Sequence, residues 1–144
     1  MKILAVDWGR VVLGLAVSDE LGITAQGLIG LPHKDETRDV EAIGAYVRDL
    51  QVEEIVVGLP KKMDGTLGPS AEAAQRLAQV LRERLKLPVH LWDERLTSRA
   101  AERTLVSAGV RRRARRSVVD QVAATMILQG FLDRRRAMAD RGDS

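Results

Sequence analysis

Residues 2–14 read K-I-L-A-V-D-W-G-R-V-V-L-G, and no other stretch limits the folds open to this chain as strongly. Ile3 to Val6 is a continuous apolar run that suits a strand buried on both faces, yet it ends on a carboxylate, Asp7, with Gly9 two residues on. A second apolar run, Val11 to Val17, starts almost at once, so the two read as a tight antiparallel pair with Gly9 in the turn. An acid at the end of such a strand fits a turn as well as a catalytic site, and the rest of the chain has to decide between them.

Beyond this hairpin, strand and helix patterns alternate. Ala25 to Leu31 predicts a third, weaker strand, broken at Pro32. From Asp35 the recurrence of Val40, Ile43, Val47 and Leu50 predicts a helix, with Asp35, Glu36 and Asp39 near its positive end. Ile55 to Leu59 reads as a short buried strand stopped by Pro60, and the loop Lys61 to Gly68 follows. Pro69 suits the first turn of a helix whose apolar face is Ala73, Leu77, Val80 or Leu81, and Leu85. Val89 to Trp92 is a further strand, ending on Asp93-Glu94-Arg95. A helix from about Thr97 to Ala108 can be capped by Thr97 or Ser98 and stopped at Gly109. The run Arg111 to Arg116 reads as a basic link to a final helix beginning near Ser117. After Arg134 the apolar period is lost, which predicts fraying and a disordered tail over 139–144.

This order implies an α/β domain over residues 1–138 with a mixed five-stranded sheet, its later strands parallel because helices cross between them. Ligands collect at the carboxyl ends of such strands, where both Asp7 and Asp93-Glu94 lie. With 144 residues the chain can bury roughly two-thirds of its unfolded surface, so it folds without disulfides or a structural metal. The absence of cysteine excludes a disulfide framework and zinc–thiolate sites. No apolar segment approaches a membrane span and no signal-peptide pattern opens the chain, so a cytoplasmic location is the expectation. Lys and Arg against Asp and Glu number 11 to 13 over residues 1–88 and 12 to 7 over 89–144. That asymmetry favours a polyanionic partner, although a solvated helix surface would look the same.

A third acid stands in the final helix. Asp120 shares a stripe with Ala124, Ile127 and Phe131, while Val119, Val122, Ala123 and Met126 make the adjacent stripe apolar. A carboxylate there costs free energy unless it is paired, capped or bound to a cation. Ser117-x-x-Asp120 is also a passable capping box, which would make Asp120 a helix cap. Three acids from separate segments, meeting where a sheet presents its strand ends, suit hard cations such as Mg²⁺ or Mn²⁺. Two such ions can activate a water and stabilise the leaving oxygen of a phosphodiester.

Four stretches now carry a family likeness: Asp7-x-Gly9 with Gly14-x-Ala16-x-Ser18-Asp19; Val57-Gly58-Leu59-Pro60 with Met63-Asp64-Gly65 and Gly68; Asp93-Glu94-Arg95-Leu96-Thr97-Ser98; and Asp120-x-x-Ala123-Ala124 leading to Ile127-Leu128-Gln129. In this order and spacing the chain resembles the YqgF or RuvX-like family over Met1 to about Leu132. That family was described first as Holliday-junction resolvases and later as nucleases for precursor small-subunit ribosomal RNA. The resemblance implies a ribonuclease-H-like fold and an acidic Mg²⁺ or Mn²⁺ site at Asp7, Glu94 and Asp120. Asp93 and Glu94 would point to opposite faces of a regular strand, and Glu94 is chosen because the family's acid is usually the glutamate. One departure stands out: the family usually has an arginine two residues before the glycine matched by Gly14, and here that position is Val12, with Arg10 out of register by two.

Lys61 and Lys62 are candidate phosphate contacts, as are Arg95 and Thr97 beside the acid and the run Arg111, Arg112, Arg113, Arg115 and Arg116. Exposed loop lysines and a solvated linker would look alike. His33 and His90 read as structural, and Trp8 and Trp92 as core. The expected activity is metal-dependent hydrolysis of phosphodiester bonds in structured nucleic acid, either 5′ processing of precursor 16S rRNA or cleavage of branched DNA. Cutting both strands of a junction would call for a homodimer. Two other readings start from the same residues: a phosphate turn of the actin-like and sugar-kinase ATPases, and a non-catalytic ribosome-assembly factor that binds nucleic acid.

Overall fold

The protein is described here by a computed structural model, which covers residues 1–62, 64–94 and 112–140, the side chains of 112–121 excepted. Five strands, β1 (Lys2–Asp7), β2 (Val12–Ser18), β3 (Ala25–Pro32), β4 (Val52–Leu59) and β5 (Val89–Asp93), form one sheet in the order β3-β2-β1-β4-β5. β1 pairs antiparallel with β2, and β2 with β3, whereas β1–β4 and β4–β5 are parallel. The helices are α1 (Glu36–Leu50), α2 (Pro69–Leu85) and α3 (Arg112–Asp140). None of the described helices is long and apolar enough to cross a membrane. The mixed sheet expected from the alternation of patterns is therefore present.

The period of two along each strand sorts the core into two. Leu4, Val6, Leu13, Leu15, Ile55 and Val57 face α1 and α2 and pack with Val40, Ile43, Leu77 and Leu81. Ile3, Ala5, Ala16 and Val56 face the other way and pack with Ala124, Ile127, Leu128 and Leu132 of α3. Both faces of β1 are thus covered, which is why its apolar run is unbroken. Asp35 caps α1, its carboxylate accepting from the Arg38 N–H at 2.8 Å, and Pro69 opens α2.

Three boundaries differ from the sequence reading. β4 starts at Val52 rather than Ile55, because Val52 already pairs with Lys2 and the Glu54 side chain is held by Arg135 (2.8 Å) and His90 (3.3 Å). α3 already includes Arg112, so Arg112 to Arg116 belong to a helix and not to a linker. Asp120 is then two turns inside α3, and the Ser117-x-x-Asp120 capping box does not mark a helix start. At its other end α3 runs past Arg134 to Asp140, where Arg135 stacks on Phe131 and Arg136 pairs with Asp133. The expected helix from Thr97 to Ala108 lies outside the described residues.

Candidate active site

Asp7 is the last residue of β1, opposite Gly14 of β2. By strand alternation it shares a face with Ile3 and Ala5, the face covered by α3. On β5 the residues of that face are His90 and Trp92, whose rings meet Phe131 of α3 at 5.2 and 6.5 Å. Alternation turns Asp93 the other way, and Glu94, just past the end of β5, lies with its Cγ and Cδ against the α3-facing side of Gly58. Glu94 is therefore the acid that reaches the α3 face beside Asp7.

β1 and β5 both flank β4, so their axes lie roughly 9–10 Å apart. The Glu94 and Asp7 carboxyl groups nevertheless share a hydrogen bond, each side chain reaching over β4 from its own side. What they cross is Gly58, which presents no side chain to this face. Burial, the hydrogen bond to Asp7 and the charges of Asp7 and Asp93 push the Glu94 carboxyl up to about 9. At neutral pH Glu94 therefore keeps its proton, held in the hydrogen bond with Asp7.

α3 approaches this pair from above. Its Ile127 Cδ1 sits over Gly58, and further along Arg135 reaches Glu54 near the start of β4, so α3 runs from the carboxyl edge of the sheet towards its amino edge. Helical register puts position 120 on the stripe of Ala124 and Ile127, on the side of Ile127 that leads to the carboxyl edge. Two carboxyl groups pressed together, with oxygen donors only, fit a hard divalent cation and no softer metal. Among the described residues no three His, Asp or Glu side chains group closely enough to hold an ion.

The other candidate residues are distributed along the same edge. Lys61, just past β4, forms an isolated bridge to Leu67, and the Lys62 side chain lies across Gly68 at the start of α2. Arg112, Arg113, Arg115 and Arg116 occupy the opening turns of α3, whose first turn holds no acid. Arg95, Thr97 and Arg111 lie outside the described residues. Trp8 packs in the core under α1 and α2 and meets His33 edge-on at 5.7 Å. His33 Nδ1 lies 2.6 Å from the buried Asp39, which also accepts from the Lys34 N–H at 3.0 Å, a structural role for both. Gly58 belongs to one of the family-like stretches but has no role legible there, and a glycine inside an apolar strand was its signal.

The model of the RuvX family, described as Holliday junction resolvase, matches residues 1–134. A Bacillus cytotoxicus protein provisionally named pre-16S rRNA nuclease is 52% identical over 135 residues, covering 92% of this chain and 98% of its own. A protein of Geobacillus kaustophilus with the same name is 51% identical over 138 residues, 94% of this chain and 100% of that one. Among solved structures, T. thermophilus RuvC in complex with a Holliday junction substrate matches with a TM-score of 0.62 and 19% identity, over 95% of this chain and 96% of that one. That likeness bears on the fold, which is ribonuclease-H-like. With the family's pattern matched over 134 of 144 residues and relatives at half identity along their whole length, the chain belongs to the RuvX family.

Proposed function

We propose that this chain is a divalent-metal-dependent endonuclease that acts on structured nucleic acid, cleaving precursor 16S rRNA at its 5′ side in the cytoplasm. The observation that carries the proposal is the convergence of Asp7 and Glu94 over Gly58 at the carboxyl edge of the sheet. The names given to the relatives at about half identity support precursor rRNA as the substrate. Asp7 and Glu94, with Asp120 from α3, would hold Mg²⁺ or Mn²⁺. When bound, such ions activate a water and stabilise the leaving oxygen of a phosphodiester.

The chain's own residues do the rest. Glu94, its carboxyl raised by burial and by the neighbouring Asp7, would give up its proton as a cation binds. Lys61, Lys62, Arg95, Thr97 and the arginines from 111 to 116 position the nucleic-acid backbone.

Purified protein incubated with Mn²⁺ and a 5′-extended 16S precursor should cut it, and Asp7→Asn and Asp120→Asn should each slow cleavage about a hundredfold or more. No cleavage of any precursor or four-way junction, with gel-shift binding intact in EDTA, would instead identify a binding factor. Preference for the junction would transfer the activity to branched DNA, where a homodimer supplies the two sites that paired cuts need.

A further inference from the structure

We infer that Gly58 is a positioning residue whose missing side chain makes the seat on which the Glu94 carboxyl lies against Asp7. The inference rests on the reading of these acids as a cation site and adds a residue to it. Glycine inside a strand weakens it, so its presence in Val56-Val57-Gly58-Leu59 needs a reason. Backbone freedom is not that reason: the glycines with positive φ among the described residues are Gly22 and Gly65. Space is. A Cβ at position 58 would lie 3.0 Å from both Cγ and Cδ of Glu94 and 2.7 Å from Ile127 Cδ1.

Real Cβ atoms essentially never come as close as the 2.7 Å to Ile127 Cδ1, so that tip must turn away, and the contacts at 3.0 Å are tight enough that Glu94 must give by a few tenths of an ångström as well. Ile127 is 1% exposed in the same buried cluster as Val56 and Leu128, whereas Glu94 is half-buried and follows the end of β5. Glu94 thus has to give way at the place over Gly58 where it meets Asp7, whatever Ile127 does. Alanine at this position thus separates the two carboxyl groups without touching either residue. The two strands that carry the acids are not neighbours, so no other residue of β4 can perform this service.

The test uses Gly58→Ala, Ile127→Val, the double variant Gly58→Ala/Ile127→Val, and Asp7→Asn. Ile127→Val removes Cδ1 and with it the buried clash, so the double variant folds even where Gly58→Ala alone is damaged. Thermal melts establish folding, and calorimetry with Mn²⁺ alone reads affinity apart from turnover. Ile127→Val should bind Mn²⁺ as the parent does, while the Gly58→Ala variant and the double variant should both bind about tenfold more weakly or worse. A residue that merely packs would lower the melting temperature and leave Mn²⁺ affinity unchanged. Parental affinity in the folded double variant, with binding lost in Asp7→Asn, overturns the role of Gly58 and leaves the cation site standing. Parental affinity in Asp7→Asn overturns the cation site and this inference with it.

Discussion

At the scale of single residues, the Asp7–Glu94 pair makes the metal-free protein sensitive to pH. The Glu94 carboxyl moves from 4.5 to about 9 on folding. Between those values the folded protein holds a proton that the unfolded chain has already released, so stability falls as pH rises through the window. Urea unfolding in EDTA at points between about pH 5 and pH 9 should show this decline, and Glu94→Gln should flatten it. On the proposed function Mn²⁺ would displace the same proton, so binding near neutrality should release close to one proton per site filled, seen as a buffer-dependent heat in calorimetry, with affinity rising up to about pH 9. The choice between Asp93 and Glu94 could not be made from β5 alone. Val89 and Leu91 on one face and His90 and Trp92 on the other are both apolar enough to be inner faces, and only the contact of His90 and Trp92 with Phe131 decides the parity.

At the scale of elements, the hairpin, α1 and α2 are legible in the sequence because cap, period and stop signals agree: Asp35 and Pro69 stand where the helices begin. The start of α3 is disguised, because Ser117 and Asp120 imitate a cap while the arginines before them, good helix formers, simply continue the helix. The first residues of β4 are hidden by Glu53 and Glu54, charges that sequence alone assigns to a loop. Glu54 is in fact the anchor for the far half of α3, with Arg135 at 2.8 Å and His90 at 3.3 Å around a side chain that is 14% exposed. Glu54→Ala should therefore cost roughly 1–3 kcal/mol in chemical denaturation. Arg136→Ala, which breaks an exposed pair with Asp133, should cost under about 1 kcal/mol.

For the molecule as a whole, the sheet with helices on both faces places the acids at one edge and the arginine-rich opening of α3 towards the same edge. The charge asymmetry between the two parts of the chain points to a polyanion but cannot say where it is held, because net charge carries no geometry. On the proposed function, replacing Arg112, Arg113, Arg115 and Arg116 with Gln should weaken RNA binding across all sequences. It should also flatten the dependence of log K on log salt by roughly 0.7 to 0.9 for each phosphate no longer neutralised, as read by gel shift over a salt series.

Seen from its middle, α3 is a lever. The Gln129 amide clasps the β2–β3 connection: its Oε1 accepts from the Ala25 N–H at 3.0 Å, and its Nε2 donates to the Ile23 carbonyl at 2.8 Å. From that fulcrum to position 120 is nine residues, about 13 Å of helix. A tilt of about 5° at the clasp would swing that position by about 1 Å, and a misplacement of that size can cost a reacting site two orders of magnitude in rate. On the proposed function, a glutamine at the opposite edge of the sheet would thus set the aim of the acid nine residues away, which would give Gln129 in the Ile127-Leu128-Gln129 motif a physical reason to be there.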